Sequence, residues 1–144
     1  METLPILGDL SNEQFEDILS ICTKMDFPAG KIIFEEGGSS NDMYVLTDGA
    51  VKVMLWGVEI SRIFPINTIG EMGIFTDEVR SATVITLTKC TLLKITKVQL
   101  FNLFNNDRDL YIQFQKSIML DMSKKLRTNN EAIAKLKSEL SKKR

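Results

Sequence analysis

The 144-residue sequence predicts a mainly β fold, a sandwich or barrel with flanking helices, on three observations. From Phe27 to Ile95 the chain is a succession of short β-rich runs cut by turn residues. No helix-length apolar period interrupts those runs. Helical periodicity is confined to the two ends of the chain. Many short strands at close spacing read as a sandwich or barrel, and the missing intervening helices argue against βαβ units and a Rossmann sheet.

The elements follow in order. Ser11 and Gln14 stand in capping-box spacing, with Leu10 placed to staple against Phe15. Phe15, Ile18, Leu19 and Cys22 then form one apolar helix face. Strands are expected at Ile32–Phe34, Tyr44–Leu46, Val51–Leu55, Ala82–Leu87 and Leu92–Ile95. The breaks between them are Pro28-Ala29-Gly30, the run from Gly37 to Asp42, Asp48-Gly49, Gly57 and Pro65. Thr96 and Gln99 repeat the capping-box spacing ahead of a short helix through Leu100, Leu103 and Phe104. Asn105-Asn106-Asp107 is a break and a new N-cap, after which a helix free of Gly and Pro runs from about Arg108 to near the end. The expected division is therefore a β domain with short helices over 1–107 and a long helix over 108–144.

Met119, Met122, Leu126, Asn129, Ile133, Leu136 and Leu140 alternate spacings of three and four, the a/d seam of a coiled coil. A helix lying on the β domain is the other reading, but it does not require that alternation over three heptads. The seam predicts a homodimer through residues 119–140. Its lone Asn129 is the kind of residue that specifies register at some cost in stability.

Composition excludes several classes of function. A net charge of −1, with 44% hydrophobic and 26% charged residues, describes a globular protein with no whole-molecule case for nucleic acid or membrane. Residues 124–144 hold eight Lys/Arg against Glu131 and Glu139, which reads first as a solvated helix face. No apolar run is long enough to span a bilayer, and the N-terminus lacks a signal-peptide pattern. Cys22 and Cys90 have no metal-type spacing and fit small buried hydrophobes in a reducing cytoplasm. Histidine is absent, which removes histidine metal sites, His-ligated haem and His-based triads. No metal and no catalytic residues are expected, and the chain does not read as an enzyme.

The informative segment is Ile69-Gly70-Glu71-Met72-Gly73-Ile74-Phe75, followed by Arg80-Ser81-Ala82-Thr83-Val84. Gly70 lets the backbone turn tightly and approach a ligand. Residues 71–75 can form one helical turn whose free N–H groups face an anion. Arg80, expected to open a strand, presents a planar donor fork matched to two phosphate oxygens. Glu71 supplies an acceptor for a sugar hydroxyl. Together they describe a pocket for a singly charged sugar phosphate, although a Glu and an Arg nine residues apart also fit a surface ion pair.

This block resembles the phosphate-binding cassette of the cyclic nucleotide-binding domain family, shared by cAMP receptor-type bacterial regulators, cyclic nucleotide-dependent kinase regulatory regions and gated channels. The resemblance extends to Phe27-Pro28-Ala29-Gly30-Lys31-Ile32-Ile33-Phe34-Glu35-Glu36-Gly37 and to the hairpin from Tyr44 to Val53 around Gly49. It implies a jelly-roll β-roll with an N-terminal helix, the cassette, a short helix and a long C-terminal dimerisation helix. By position it implies that Glu71 takes the ribose 2′-hydroxyl and that Arg80 and Ser81 take the cyclic phosphate. Backbone N–H groups of the Gly70–Gly73 turn complete the ring. Met72 and Val84 would lie near the purine or ribose, or equally in the core. Asn129 and Asn130 fall where the long helix meets the base, and an amide suits the edge of adenine.

The implied ligand is cAMP, with cGMP left open. Ser81 accompanies cAMP in bacterial members, but a hydroxyl there goes with cGMP in eukaryotic ones. Two further departures are Val79, where many relatives have proline, and Ile66-Asn67-Thr68-Ile69, which lacks the usual glycine-aspartate. The expected function is a regulatory module that couples nucleotide binding to movement of the dimerising helix. The alternatives are the sensor half of a cAMP receptor-type transcription regulator without its helix-turn-helix domain, or a fold relative that binds no nucleotide. No recognition helix is present, so DNA binding by this chain is not expected. The downstream effector is unspecified.

Overall fold

Ser11 caps as its spacing predicts. In the computed structural model, which describes residues 10–143, its Oγ accepts from the Gln14 backbone N–H at 3.1 Å, and the Gln14 side chain accepts from the Ser11 N–H at 3.1 Å. These bonds satisfy two orphan donors and open α1 (Asn12–Ser20). The buried Gln14 amide also donates to Asp107 and Asp109, at 3.2 and 3.0 Å, tying the two ends of the domain together.

Eight strands follow among the described residues: β1 (Thr23–Phe27), β2 (Ile32–Phe34), β3 (Asp42–Asp48), β4 (Val51–Leu55), β5 (Val58–Ile63), β6 (Asn67–Ile69), β7 (Thr83–Thr86) and β8 (Cys90–Thr96). A single helical turn, α2 (Met72–Phe75), separates β6 from β7, and α3 (Lys97–Asn106) and α4 (Arg108–Lys142) close the chain. The strands form two four-stranded antiparallel sheets, ordered β1-β8-β3-β6 and β2-β7-β4-β5. The mainly β, helix-flanked architecture expected from the sequence is the one observed.

Three strands lie outside the expected set. β1 is a polar edge strand, Thr-Lys-Met-Asp-Phe, with little apolar content to mark it. β5 follows β4 through a two-residue turn at Trp56-Gly57, both with positive φ (52° and 78°), so Gly57 marks a hairpin and not the end of strand structure. β6 lies in residues 66–69, where no strand is expected: Tyr44 pairs with Ile69, Val45 with Thr68 and Leu46 with Asn67. A further correction is at Arg80, which does not open a strand. β7 begins at Thr83, while Arg80 exchanges two backbone hydrogen bonds, each 2.9 Å, with Gly37 and Gly38.

β3 is apolar on both faces because it stands between two cores. Tyr44 and Leu46 join Val51, Ile69, Val84, Cys90 and Leu92 between the sheets. Met43 and Val45, on the opposite face by the two-residue period, join Ile18, Ile74, Leu100, Phe104, Leu110, Phe114 and Ile118 beneath the helices. Thr96 caps α3 by accepting from Gln99 N–H at 3.2 Å, and Asp107 caps α4 by accepting from Leu110 N–H at 3.0 Å. The buried residues of α4 are Leu110, Phe114, Ser117 and Ile118. Beyond them the helix projects to Lys142 with Leu126, Ile133, Leu136 and Leu140 all exposed.

Candidate ligand-binding site

The site is built where β6 hands over to α2. Gly70 has φ +76°, and a Cβ there would collide with Nη1 of Arg80, so glycine is needed both for the turn and for the passage of the guanidinium. A Cβ on Gly73 would collide with the Ser40 hydroxyl. The α2 turn is therefore pressed against the loop before β3, and fully buried Ile74 anchors it in the helical core.

Arg80 is 4% exposed. Its Nη2 donates to Asp42 Oδ1 at 2.6 Å and to the Asp42 carbonyl at 2.7 Å, and its Nη1 donates to the Gly70 carbonyl at 3.2 Å. The guanidinium lies 4.0 Å from the centre of the Phe34 ring, within cation–π range. Burial lowers its pKa and Asp42 opposes that fall; an arginine remains charged in this setting. One donor is left over: buried Nε has no hydrogen-bond partner among the described residues. An unsatisfied buried donor costs about 1–3 kcal/mol, a deficit that an incoming acceptor removes.

Glu71 is 6% exposed, and its Oε1 accepts from Nζ of Lys125 on α4 at 3.0 Å. Lys125 also pairs with Asp121, one turn earlier, at 2.9 Å. Burial works to lower the pKa of Lys125, but Glu71 and Asp121 outweigh it and hold the value above the usual lysine range. An α4 cation thus reaches the acidic wall of the site.

Between Arg80 and Glu71 lies a cavity of about 520 Å³, a size that suits a small ligand. Gly70, Glu71, Met72, Gly73, Arg80, Ser81, Val84 and Asn129 all line it. Asn130 does not line it and is exposed on α4. Val84 lines this cavity and is also part of the inter-sheet core. Sequence reasoning missed Lys125, Phe34, Asp42 and Thr68. Lys125 carries only the i,i+4 spacing to Asp121 as a signal, inside a basic run that reads as solvated. Among the described residues no cluster of metal-binding side chains occurs. The arrangement can hold an anion on Arg80, a hydroxyl on Glu71 and a flat apolar group along Val84 and Met72.

A family profile for the cyclic nucleotide-binding domain matches residues 24–107, more than half of the chain. The chain belongs to the cyclic nucleotide-binding domain family. It is 31% identical over 106 residues to the Pycsar effector protein BcPycTIR of Burkholderia cepacia, covering 73% of this chain and 34% of that protein. It is 29% identical over 91 residues to a cGMP-dependent protein kinase, isozyme 2, of Drosophila melanogaster, covering 63% of this chain and 8% of the kinase. The chain thus spans about a third or less of the length of these curated relatives. Among solved structures, the catabolite activator protein of Thermus thermophilus superposes with a TM-score of 0.76 at 22% identity, over 92% of this chain and 62% of that one. This likeness shows a shared fold. As a cyclic nucleotide-binding domain the chain is a regulatory module, and a cyclic nucleotide is the ligand class of its family.

Proposed function

We propose that this cyclic nucleotide-binding domain senses cAMP and passes its occupancy to α4, which joins two copies of the chain. The observation that carries the reading is the buried, charged Arg80 with an unpartnered Nε on the wall of a 520 Å³ cavity that Glu71 also lines. In this reading Arg80 and Ser81 hold the cyclic phosphate with backbone N–H groups of the Gly70–Gly73 turn. Glu71 has Oε1 on Lys125 and takes the ribose 2′-hydroxyl through Oε2. Met72 and Val84 supply apolar contact.

Coupling to α4 follows from two α4 residues in the cavity wall, Lys125 and Asn129. A ligand that touches them favours one position of the helix over others, and its differential affinity sets how far the equilibrium moves. Asn129 presents an amide to the base, which matches the donor and acceptor on the adenine edge. In a parallel two-stranded seam with Met122 and Asn129 at d, Lys125 falls at g and Asn130 at e. The partner's Asn130 then flanks Lys125, which is how Asn130 enters the site. Ser81 on the cavity wall, together with the likeness to a cGMP-dependent kinase, favours cGMP as the second reading. The function is binding and regulation, with no reaction catalysed. A reducing cytoplasm fits the two free thiols, Cys22 and Cys90.

Calorimetric titration of both nucleotides tests this. cAMP is expected to bind more tightly than cGMP by roughly 5- to 150-fold, the worth of one good bidentate base contact. Arg80→Ala is expected to weaken binding by about 30-fold to several thousand-fold, since a desolvated charge pair is broken. Arg80→Ala binding within about threefold of wild type would sink the phosphate assignment, and the absence of binding by either nucleotide would leave a fold relative without a ligand.

A further inference from the structure

A second groove of about 320 Å³ lies beside the ligand cavity, between α2 and α4. Met72 and Phe75 form one wall and Ile118, Met119 and Met122 the other, and among the described residues no charged one lines it. Met72 and Thr76 line the ligand cavity as well, so one thin wall separates the two spaces. Met72 is 44% exposed and Met119 63%, an unusual state for large thioethers gathered at one place. Met119 and Met122 are also the first two positions of the heptad seam. At 100° per residue they lie on the same face of α4 as exposed Leu126, Ile133 and Leu136. The groove is therefore the N-terminal continuation of that apolar seam, at the point where α4 leaves the domain.

The seam itself names the occupant. Its 3–4 alternation with a lone Asn129 is self-complementary and suits a second copy of the same helix. A helix packed on such a seam has its axis about 8–10 Å away, the space directly over Met119 and Met122. In a parallel, in-register pair, position 119 meets 119 of the partner and 122 meets 122. The geometry points to an interface that extends from α4 onto the ligand-binding turn: the second copy seats its Met119–Met122 segment in the α2–α4 groove, against Met72. Met72 is then both a wall of the nucleotide cavity and a dimer contact. Ligand binding and dimerisation share one residue, and their coupling is reciprocal. This deepens the proposed function and rests on its dimerising helix.

Two measurements on the full chain test it. With a benzophenone amino acid in place of Met72, irradiation of mixed isotopically heavy and light chains is expected to give heavy–light products, joined between position 72 and the partner's residues 115–126. In sedimentation equilibrium, Met72→Glu is expected to raise the dimer dissociation constant about tenfold or more, because a charge is forced into an apolar contact, while Met72→Leu stays within about threefold. Circular dichroism melts check that each variant folds, and Ile133→Glu serves as the seam control. A dimer that Ile133→Glu dissociates, but that Met72→Glu leaves intact and that gives no heavy–light product, overturns this inference and leaves the dimerising helix standing. A wild-type chain that stays monomeric at tens of micromolar, with and without cAMP, overturns both.

Discussion

Lys125 shows how much one side chain can decide. A cation on a projecting helix pairs with a carboxylate that is 6% exposed, and without it Glu71 is left buried with no charge partner among the described residues. Its pKa is held above the ordinary value, so its contribution to stability is fully present below the unfolded lysine value of 10.5 and is lost as pH rises through the folded one. Lys125→Gln is accordingly expected to melt lower than wild type by a constant margin from about pH 6 to about pH 9. The margin should close as pH climbs past the lysine range. Melting curves of both proteins across that series check it, and a margin already closing near neutral pH would contradict the pairing. Gly70 beside this pair was legible from the sequence as a tight turn, whereas the passage of the Arg80 guanidinium across it was not. The partner of Glu71 was not legible: 54 positions separate the two residues, and nothing local marks Lys125 apart from its basic neighbours.

At the scale of elements, the strands that were legible are those rich in β-branched or aliphatic residues, such as Ile32–Phe34 and Val51–Leu55, which the structure reproduces residue for residue. Those that escaped are held by pairing. β6 is three residues long and exists because β3 offers a hydrogen-bonding edge to it. The long helix divides differently from its sequence. It begins at the Asp107 cap as its spacing predicts, yet Leu110, Phe114 and Ile118 keep its first turns inside the helical core. Truncation after Asp121 is therefore expected to leave a cooperatively folding β-roll, since no residue beyond Ile118 is buried in α4. The shortened chain should be monomeric and should bind cAMP more weakly, having lost Lys125 and Asn129. Sedimentation and calorimetry check both, and an unfolded product would show that the projecting segment supports the domain.

For the whole molecule, the exposed stripe on α4 sets the expectation. Five of its large hydrophobics, Met119, Leu126, Ile133, Leu136 and Leu140, are each more than half exposed in a single chain. Sedimentation is expected to report about twice the 16.3 kDa of one chain. Because assembly stabilises the folded state by mass action, the melting temperature should rise with protein concentration, and rise further with bound nucleotide. A midpoint that does not move over a hundredfold dilution series would contradict a dimer coupled to folding.

The sequence by itself determined the β class, the caps at Ser11, Thr96 and Asp107 and the heptad of the long helix. Each of these depends on spacing along the chain, and local spacing is what periodicity, capping and turn chemistry report. Only the tertiary structure decided which groups meet across it. It put Asp42 and Phe34 against Arg80, brought Lys125 to Glu71, placed Asn129 but not Asn130 on the cavity wall, and set Met72 between the cavity and the α2–α4 groove. These contacts depend on how the two sheets and α4 pack around shared cores, and residues brought together by packing carry no mark of one another in the linear chain.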